Sequence, residues 1–275
     1  MTAQTAARLA VDIGGTFTDV VLDRGGELTT TKVLTTYDDP ANGVMGGIRR
    51  VLTLSGATAG EIDLVLHGTT LATNAIIERR GAVTALLTTA GHRDAVEMAF
   101  ENRFEQYDVN IDRPAPLVRR QLRLPVPERL DAAGRVLLPL DLDAVRGLMP
   151  QLQAEGVQSV AVGFLHSYVN PGHEIQIKKI IKELFPGVYI SISHEILPEF
   201  REYERLSTTV VNAYLGPVID RYVANLIKRV KELGITAELF ITQSNGGIIS
   251  AARTQRNPVK TVLSGPSTGV IGSAY

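Results

Sequence analysis

Val11-Asp12-Ile13-Gly14-Gly15-Thr16-Phe17-Thr18-Asp19 is the stretch on which the fold class turns. An apolar strand over 9–14 ends in a carboxylate and two glycines, and a second strand returns over 19–23. Glycine lets main chain approach a ligand because no Cβ intervenes. Successive N–H groups in such a bend form an anion-binding concavity. Thr16 and Thr18 add hydroxyl donors, and Asp12 can hold a divalent cation through water. Together these meet the needs of a grip on a nucleotide's terminal phosphates with Mg2+. The same residues also suit a plain β-hairpin with Asp12 on its surface. Neither the Gly-x-x-x-x-Gly-Lys-Ser/Thr loop nor a Gly-x-Gly-x-x-Gly turn is present.

Outward from the hairpin, the pattern alternates strand and helix. A threonine-rich strand is expected over 28–35, then a helix over 40–54 with Pro40 at its first position and Gly56 at its end. A buried strand over 64–67, a helix over 71–80 stopped by Gly81, and a strand over 83–88 follow. From His92 to Pro139 the periodicity loosens, and prolines at 114, 116, 125, 127 and 139 break any long helix. An insertion with a small sheet (121–127 and 136–139) is expected there. Helix 142–154, strand 159–164, helix 171–184 and strand 188–193 restore the order. Two helices, 200–215 and 218–233, separated by Gly216-Pro217, lead to a strand over 238–242, a Gly246-Gly247 turn and a helix opening at Gly265. The last pattern has no C-cap or polar tail, which predicts a piece of a longer chain.

Composition excludes several classes. The 275 residues are 44% hydrophobic and 21% charged, ordinary values for a globular protein, with a net charge of −1. That balance gives no electrostatic case for nucleic acid or an anionic membrane. Absence of cysteine removes disulfides, thiolate nucleophiles and Cys-ligated zinc together. The start of the chain lacks the basic and apolar regions of a signal peptide. Apolar runs such as 71–77 and 208–215 fall far below the roughly 20 residues a membrane helix needs. A soluble cytoplasmic protein with no nucleic-acid or membrane partner is expected.

The hairpin resembles the first phosphate motif of the actin, sugar-kinase and chaperone superfamily, whose zinc-containing sugar kinases are disfavoured by the missing cysteines. Longer stretches narrow the resemblance. They are Leu66-His67-Gly68-Thr69-Thr70-Leu71-Ala72-Thr73-Asn74-Ala75, Thr88-Thr89-Ala90-Gly91-His92-Arg93-Asp94, and Arg113-Pro114-Ala115-Pro116-Leu117-Val118. Further on come Glu195-Ile196-Leu197-Pro198-Glu199-Phe200-Arg201-Glu202-Tyr203-Glu204-Arg205, Asn212-Ala213-Tyr214-Leu215, and Ser264-Gly265-Pro266. In order and separation these resemble the A-type subunits of the hydantoinase/oxoprolinase family, over nearly the whole chain.

The resemblance implies an α/β fold: an actin-like (ribonuclease H-like) nucleotide-binding lobe with a mixed sheet flanked by helices. It further implies an inserted small-sheet region and a helical C-terminal part. The lobe is expected over 1–195 with the insertion at about 92–139, and the start of a core domain over 196–275. A second Asp-x-Gly-Gly-Thr hairpin of the family is missing here, so this chain is expected to be inactive alone. The implied activity is ATP-dependent hydrolysis of a cyclic amide (a hydantoin, 5-oxoproline or another lactam). Phosphorylation of the carbonyl oxygen would give an imidate phosphate open to water. A subunit of an ATP-dependent ketone carboxylase, or a non-catalytic nucleotide-lobe module, are the alternatives. A separate B-type subunit, and hence a hetero-oligomer, is implied by the resemblance alone.

Within that frame Asp12 is the catalytic and Mg2+-holding candidate, and Gly14, Gly15 and Thr16 the phosphate grip, with Thr18 or Asp19 in support. Thr69 and Thr70 are added because a strand ending at His67 opens a helix there, which suits a carboxylate, carbonyl or phosphate. The competing reading is an ordinary N-cap with His67 packed and hydrogen-bonded. His92, Asp94, Glu97, Glu101, Arg103 and Asp108 match no named metal spacing, and a solvated loop with ion pairs is expected. Glu202 and Arg205 are expected to form a simple surface pair. His166, His173 and His194 are expected to be structural or surface residues.

Overall fold

A computed structural model describes residues 7–36, 38–100, 105, 107–111 and 114–265. Contacts divide the chain into two compact units, Met1–Arg80 with Val218–Tyr275, and Gly81–Pro217. The first opens with three antiparallel strands, β1 (Ala7–Ile13), β2 (Phe17–Arg24) and β3 (Glu27–Leu34). Along β1 the buried residues are Ala7, Leu9, Val11 and Ile13, a period of two that puts Asp12 on the open face. Helix α1 (Pro40–Ser55) follows; the Asp39 carboxylate caps it by accepting from Ala41 N at 3.1 Å, and Gly56 ends it with a φ of 66°. A Cβ on Gly47 would lie 2.5 Å from Val20 Cγ2, so glycine there lets α1 lie close on β2. Strand β4 (Ile62–Thr69) then pairs parallel to β1, and α2 (Leu71–Ile77) leaves its end.

The second unit carries β5 (Thr84–Thr89), α3 (Ala95–Met98), β6 (Arg123–Val126), β7 (Arg129–Leu130) and β8 (Val136–Leu138). After them come α4 (Leu142–Ala154), β9 (Ser159–Gly163), α5 (Gly172–Leu184), β10 (Tyr189–Ile192) and α6 (Ser193–Ile196). Its sheet is fully parallel in the order β10-β9-β5-β6. Strands β5 and β9 are buried at every residue, as a parallel sheet covered on both faces requires. Helix α7 (Glu202–Glu232) begins in this unit and ends in the first. There β11 (Leu239–Thr242) pairs parallel with β4, and β12 (Ile248–Ser250) and α8 (Ala251–Arg256) follow. The first sheet thus reads β12-β11-β4-β1-β2-β3, the mixed sheet flanked by helices that was expected.

Four features differ from the sequence reading. The 121–127 stretch does not pair with 136–139. Instead β6 joins β5 in the main sheet, where Leu124 and Val126 are buried, while β8 pairs with β7. The helices expected over 200–215 and 218–233 are one helix through Pro217. One missing N–H is outweighed by burial on both sides, at Ala213, Leu215 and Ile219. Contacts set apart 81–217 rather than 92–139, and place the described residues 218–265 with the first sheet rather than in a separate part. The return of β11 to β4 is the physical reason. Strand β12 and α8 had no expected counterpart, and the helix expected from Gly265 lies mostly outside the described residues.

Candidate functional site

The first unit assembles the hairpin from three strands. Asp12 faces Asp19 across the β1–β2 ladder and Gly68 across the β1–β4 ladder. A Cβ on Gly68 would sit 2.6 Å from Asp12 Oδ1, so the carboxylate occupies the space that glycine leaves. Asp12 stays open to solvent, yet loss of hydration, with Asp19 adding repulsion, holds its carboxyl above the usual range. Such a carboxylate gains from a nearby cation. Asp19 already has one, Lys32 Nζ at 3.1 Å.

The bend itself divides its donors. Gly14 N donates to Phe17 O at 2.9 Å, and Gly14 O accepts from Thr35 Oγ1 at 3.0 Å. Thr18 is fully buried beneath, its hydroxyl 3.1 Å from Thr35 Oγ1. Thr18 and Gly14 therefore brace the bend and present no free donor at its tip. Gly15 and Thr16 are exposed, and their N–H groups have no partner among the described residues. Nothing lies within 4 Å of a Cβ built on Gly15, so its own packing gives no reason for a glycine there.

Thr69 and Thr70 are beside this bend, at the end of β4. Thr69 is buried; its Oγ1 accepts from Leu71 N at 3.1 Å and its carbonyl accepts from Ser264 Oγ at 3.1 Å. Thr70 donates to Ile13 O through both N (3.3 Å) and Oγ1 (3.2 Å), and its hydroxyl accepts from Asn74 Nδ2 at 3.3 Å. Thr70 ties the helix start to the end of β1, while Thr69 braces the helix start and holds Ser264. His67 is buried, with Nε2 2.8 Å from the Tyr222 hydroxyl and Nδ1 without a hydrogen-bond partner among the described residues. Burial pushes it down to about 4 against a small opposing effect of the Val11 backbone, and burial also raises the Tyr222 phenol. Tyr222 has no motif signal in the sequence; only its place on the buried face of α7 could have found it.

In the second unit Asp94 forms a fork with Arg120 at 2.9 and 3.1 Å, and Glu97 meets the buried Arg123 at 2.5 Å. The hydrogen bond from Arg120 is the main reason the Asp94 carboxyl lies below the usual range. No group of three metal-ligating side chains occurs among the described residues, to which Glu101 and Arg103 do not belong. The expected surface pair is a correction: Arg205 is fully buried. It donates to Glu199 O (2.6 Å), Phe164 O (3.0 Å) and Glu202 Oε1 (3.1 Å), and its guanidinium stacks 5.3 Å from the Tyr168 ring. His173 and His194 are structural, each held by a buried carboxylate, Glu128 at 2.7 Å and Glu174 at 2.9 Å.

Comparison with known proteins places these features in a family. The pattern for the hydantoinase/oxoprolinase N-terminal region matches residues 8–185, and that for hydantoinase/oxoprolinase matches 205–275. The caprolactamase subunit alpha of Pseudomonas jessenii is 36% identical over 95% of this chain and 38% of its own length. The acetophenone carboxylase gamma subunit of Aromatoleum aromaticum is 31% identical over 96% of this chain and 38% of its own. The crystal structure of the ATP-dependent caprolactamase from Pseudomonas jessenii superposes with a TM-score of 0.87 at 35% identity, covering 95% of this chain and 39% of that one. The chain thus spans about two-fifths of the length of these two relatives. No described helix is long and apolar enough to cross a membrane.

Proposed function

The chain belongs to the hydantoinase/oxoprolinase family, and on that premise we propose that it supplies the phosphate-gripping lobe of an ATP-dependent cyclic-amide hydrolase. The observation that carries this reading is the pair of unpartnered N–H groups at Gly15 and Thr16, exposed beside the Asp12 carboxylate. Backbone donors fixed before a ligand arrives cost no reorganisation when charge develops on a phosphoryl oxygen. Gly15 and Thr16 hold the terminal phosphates, and Gly14, Thr18 and Thr35 fix the bend that aims them. Thr70 holds the end of β1, and Thr69 braces the helix start beside it.

Mg2+ fits this arrangement on the strength of its one open carboxylate. It takes one or two carboxylates, keeps several waters and shares the phosphate oxygens. Asp12, destabilised by lost hydration and by Asp19, would hold it through water. Bound ATP would supply the phosphoryl group that turns an unreactive amide carbonyl into one that water attacks. A second phosphate hairpin and a B-type partner subunit complete the enzyme, so this chain alone turns over no ATP.

The 31% identity to an acetophenone carboxylase subunit favours a second reading, in which the same grip serves phosphorylation of a ketone enolate or bicarbonate. One experiment addresses both. The full-length enzyme with its partner is given ATP and N-methylhydantoin, 5-oxoproline, a larger lactam, or acetophenone with bicarbonate. The substrate that drives ATP turnover identifies the class, and Asp12→Ala is expected to abolish that turnover. Near-normal turnover by the variant would discard the assignment of Asp12.

A further inference from the structure

Two sequence motifs are not used by the phosphate hairpin, 88–94 and 195–205, and the structure brings parts of both to one edge of the second sheet. In chain order its strands are β5, β6, β9 and β10; in space they run β10-β9-β5-β6. The chain leaves β5 towards one side and leaves β9 towards the other. In open parallel sheets, ligands bind outside the carboxyl ends of the strands at such a reversal. Here those ends are Thr89 of β5 and Gly163 of β9. They are linked by Thr89 Oγ1, which accepts from Leu165 N at 3.0 Å and donates to Glu128.

The buried charges at this edge are almost fully engaged. Glu128 is taken up by Thr89 and His173, and Arg205 by Glu199, Phe164 and Glu202, with only Arg205 Nε left without a partner among the described residues. Arg129 is different. It is half-buried, and no carboxylate lies within 4 Å of its guanidinium among the described residues. Its recorded side-chain partner is His92 Nε2 at 3.0 Å. A guanidinium has no acceptor, so the imidazole must accept, and His92 is neutral with its proton on Nδ1. Lost hydration and Arg129 lower His92, against opposing effects of Glu202 and Glu128, which favours the neutral ring. Arg129 is thus a half-buried cation in contact with a neutral ring, with no carboxylate in direct contact among the described residues.

We propose that Arg129 and His92, at the carboxyl edge of the second sheet, form a binding site for a small carboxylate. The planar fork of Arg129 matches a carboxylate in bidentate geometry, and His92 Nδ1–H supplies a further donor. Charge sets the class. Glu128 and Glu202 both lie near enough to act on His92, so the local balance admits a monoanion and disfavours a phosphate dianion. The proposal does not depend on the function assigned to the phosphate hairpin.

The test uses the full-length protein labelled with 15N-histidine, with the His92 ring signals assigned through His92→Gln. Acetate, bicarbonate and inorganic phosphate are titrated separately at constant ionic strength. The expected result is a saturable His92 shift with acetate or bicarbonate, at least about tenfold weaker in Arg129→Gln and unchanged in the surface control Arg50→Gln. The tighter of the two carboxylate probes identifies bicarbonate or an organic acid as the occupant. If Arg129→Gln loses its circular dichroism spectrum, Arg129→Lys keeps the charge, removes the fork and is expected to bind several-fold more weakly. Tighter binding of phosphate than of either carboxylate overturns the proposal. So does a non-saturating drift shared by wild type and variant.

Discussion

The hairpin of the first unit and the strand ends of the second unit solve opposite problems. Around Gly15 the chain exposes backbone donors and the Asp12 carboxylate, and the polar side chains buried near it, Thr18, His67 and Thr69, carry no charge at neutral pH. At the ends of β5 and β9 it buries Glu128, Glu174 and Arg205 and must satisfy each with hydrogen bonds. Loss of a side chain should therefore cost little stability at the hairpin and a great deal at the second edge. Each edge can be tested on that difference.

The largest effect is expected at Glu174. Its fully buried carboxylate accepts from Phe164 N (3.0 Å), Ser193 Oγ (2.6 Å), His194 N (3.0 Å) and His194 Nδ1 (2.9 Å). Glu174→Ala strands these donors and should cost about 3–5 kcal/mol, read as a fall in the urea midpoint at unchanged m-value. A loss below about 1 kcal/mol would mean that water or repacking replaces the carboxylate, and the contrast would fail.

His67 should make the first unit sensitive to acid. A value near 4 in the fold against about 6.5 unfolded means that the unfolded chain binds the extra proton. The contribution is therefore whole above about pH 6.5 and is lost as pH falls towards 4, by at most about 3 kcal/mol. Urea midpoints measured across that window check it, and His67→Gln should flatten the slope. An intermediate effect is expected from Gly47→Ala, where the new methyl must displace Val20 in the α1–β2 contact. A cost of about 1–3 kcal/mol is expected in the same urea assay.

The same difference explains what was legible in the sequence. A main-chain grip needs glycines at set places, so the Gly14-Gly15 bend and the strands around it could be read from spacing. Helix α4 was readable for a similar local reason: Asp141 caps it by accepting from Ala144 N at 2.9 Å. Arg205 was not, because its one-turn spacing from Glu202 is the same whether the pair is exposed or buried. Only the fold brings Phe164 O to the guanidinium across 41 residues. Pro217 misled in the opposite direction: the local rule for a helix break was overridden by burial on both sides of it. Strand β6 was misplaced because a four-residue strand containing Pro125 reads as an edge, which it is, while its partner residues in β5 lie 37 positions earlier, as in Leu86 against Arg123.

The smallest stability effect carries the sharpest test. Gly15 takes no left-handed φ, and no atom lies within 4 Å of where a Cβ would project. Gly15→Ala should therefore leave the fold unharmed or raise its stability by about 0.4–1 kcal/mol, because the unfolded chain loses freedom. If the glycine is there so that phosphate oxygens can reach the main chain, the same methyl should weaken nucleotide binding in the full-length enzyme. A loss of about tenfold or more is expected, measured by titration. Stability and binding would then move in opposite directions at one residue. A variant that binds nucleotide as well as wild type would reduce the hairpin to an ordinary turn, and the contrast with the second edge would no longer concern ligands.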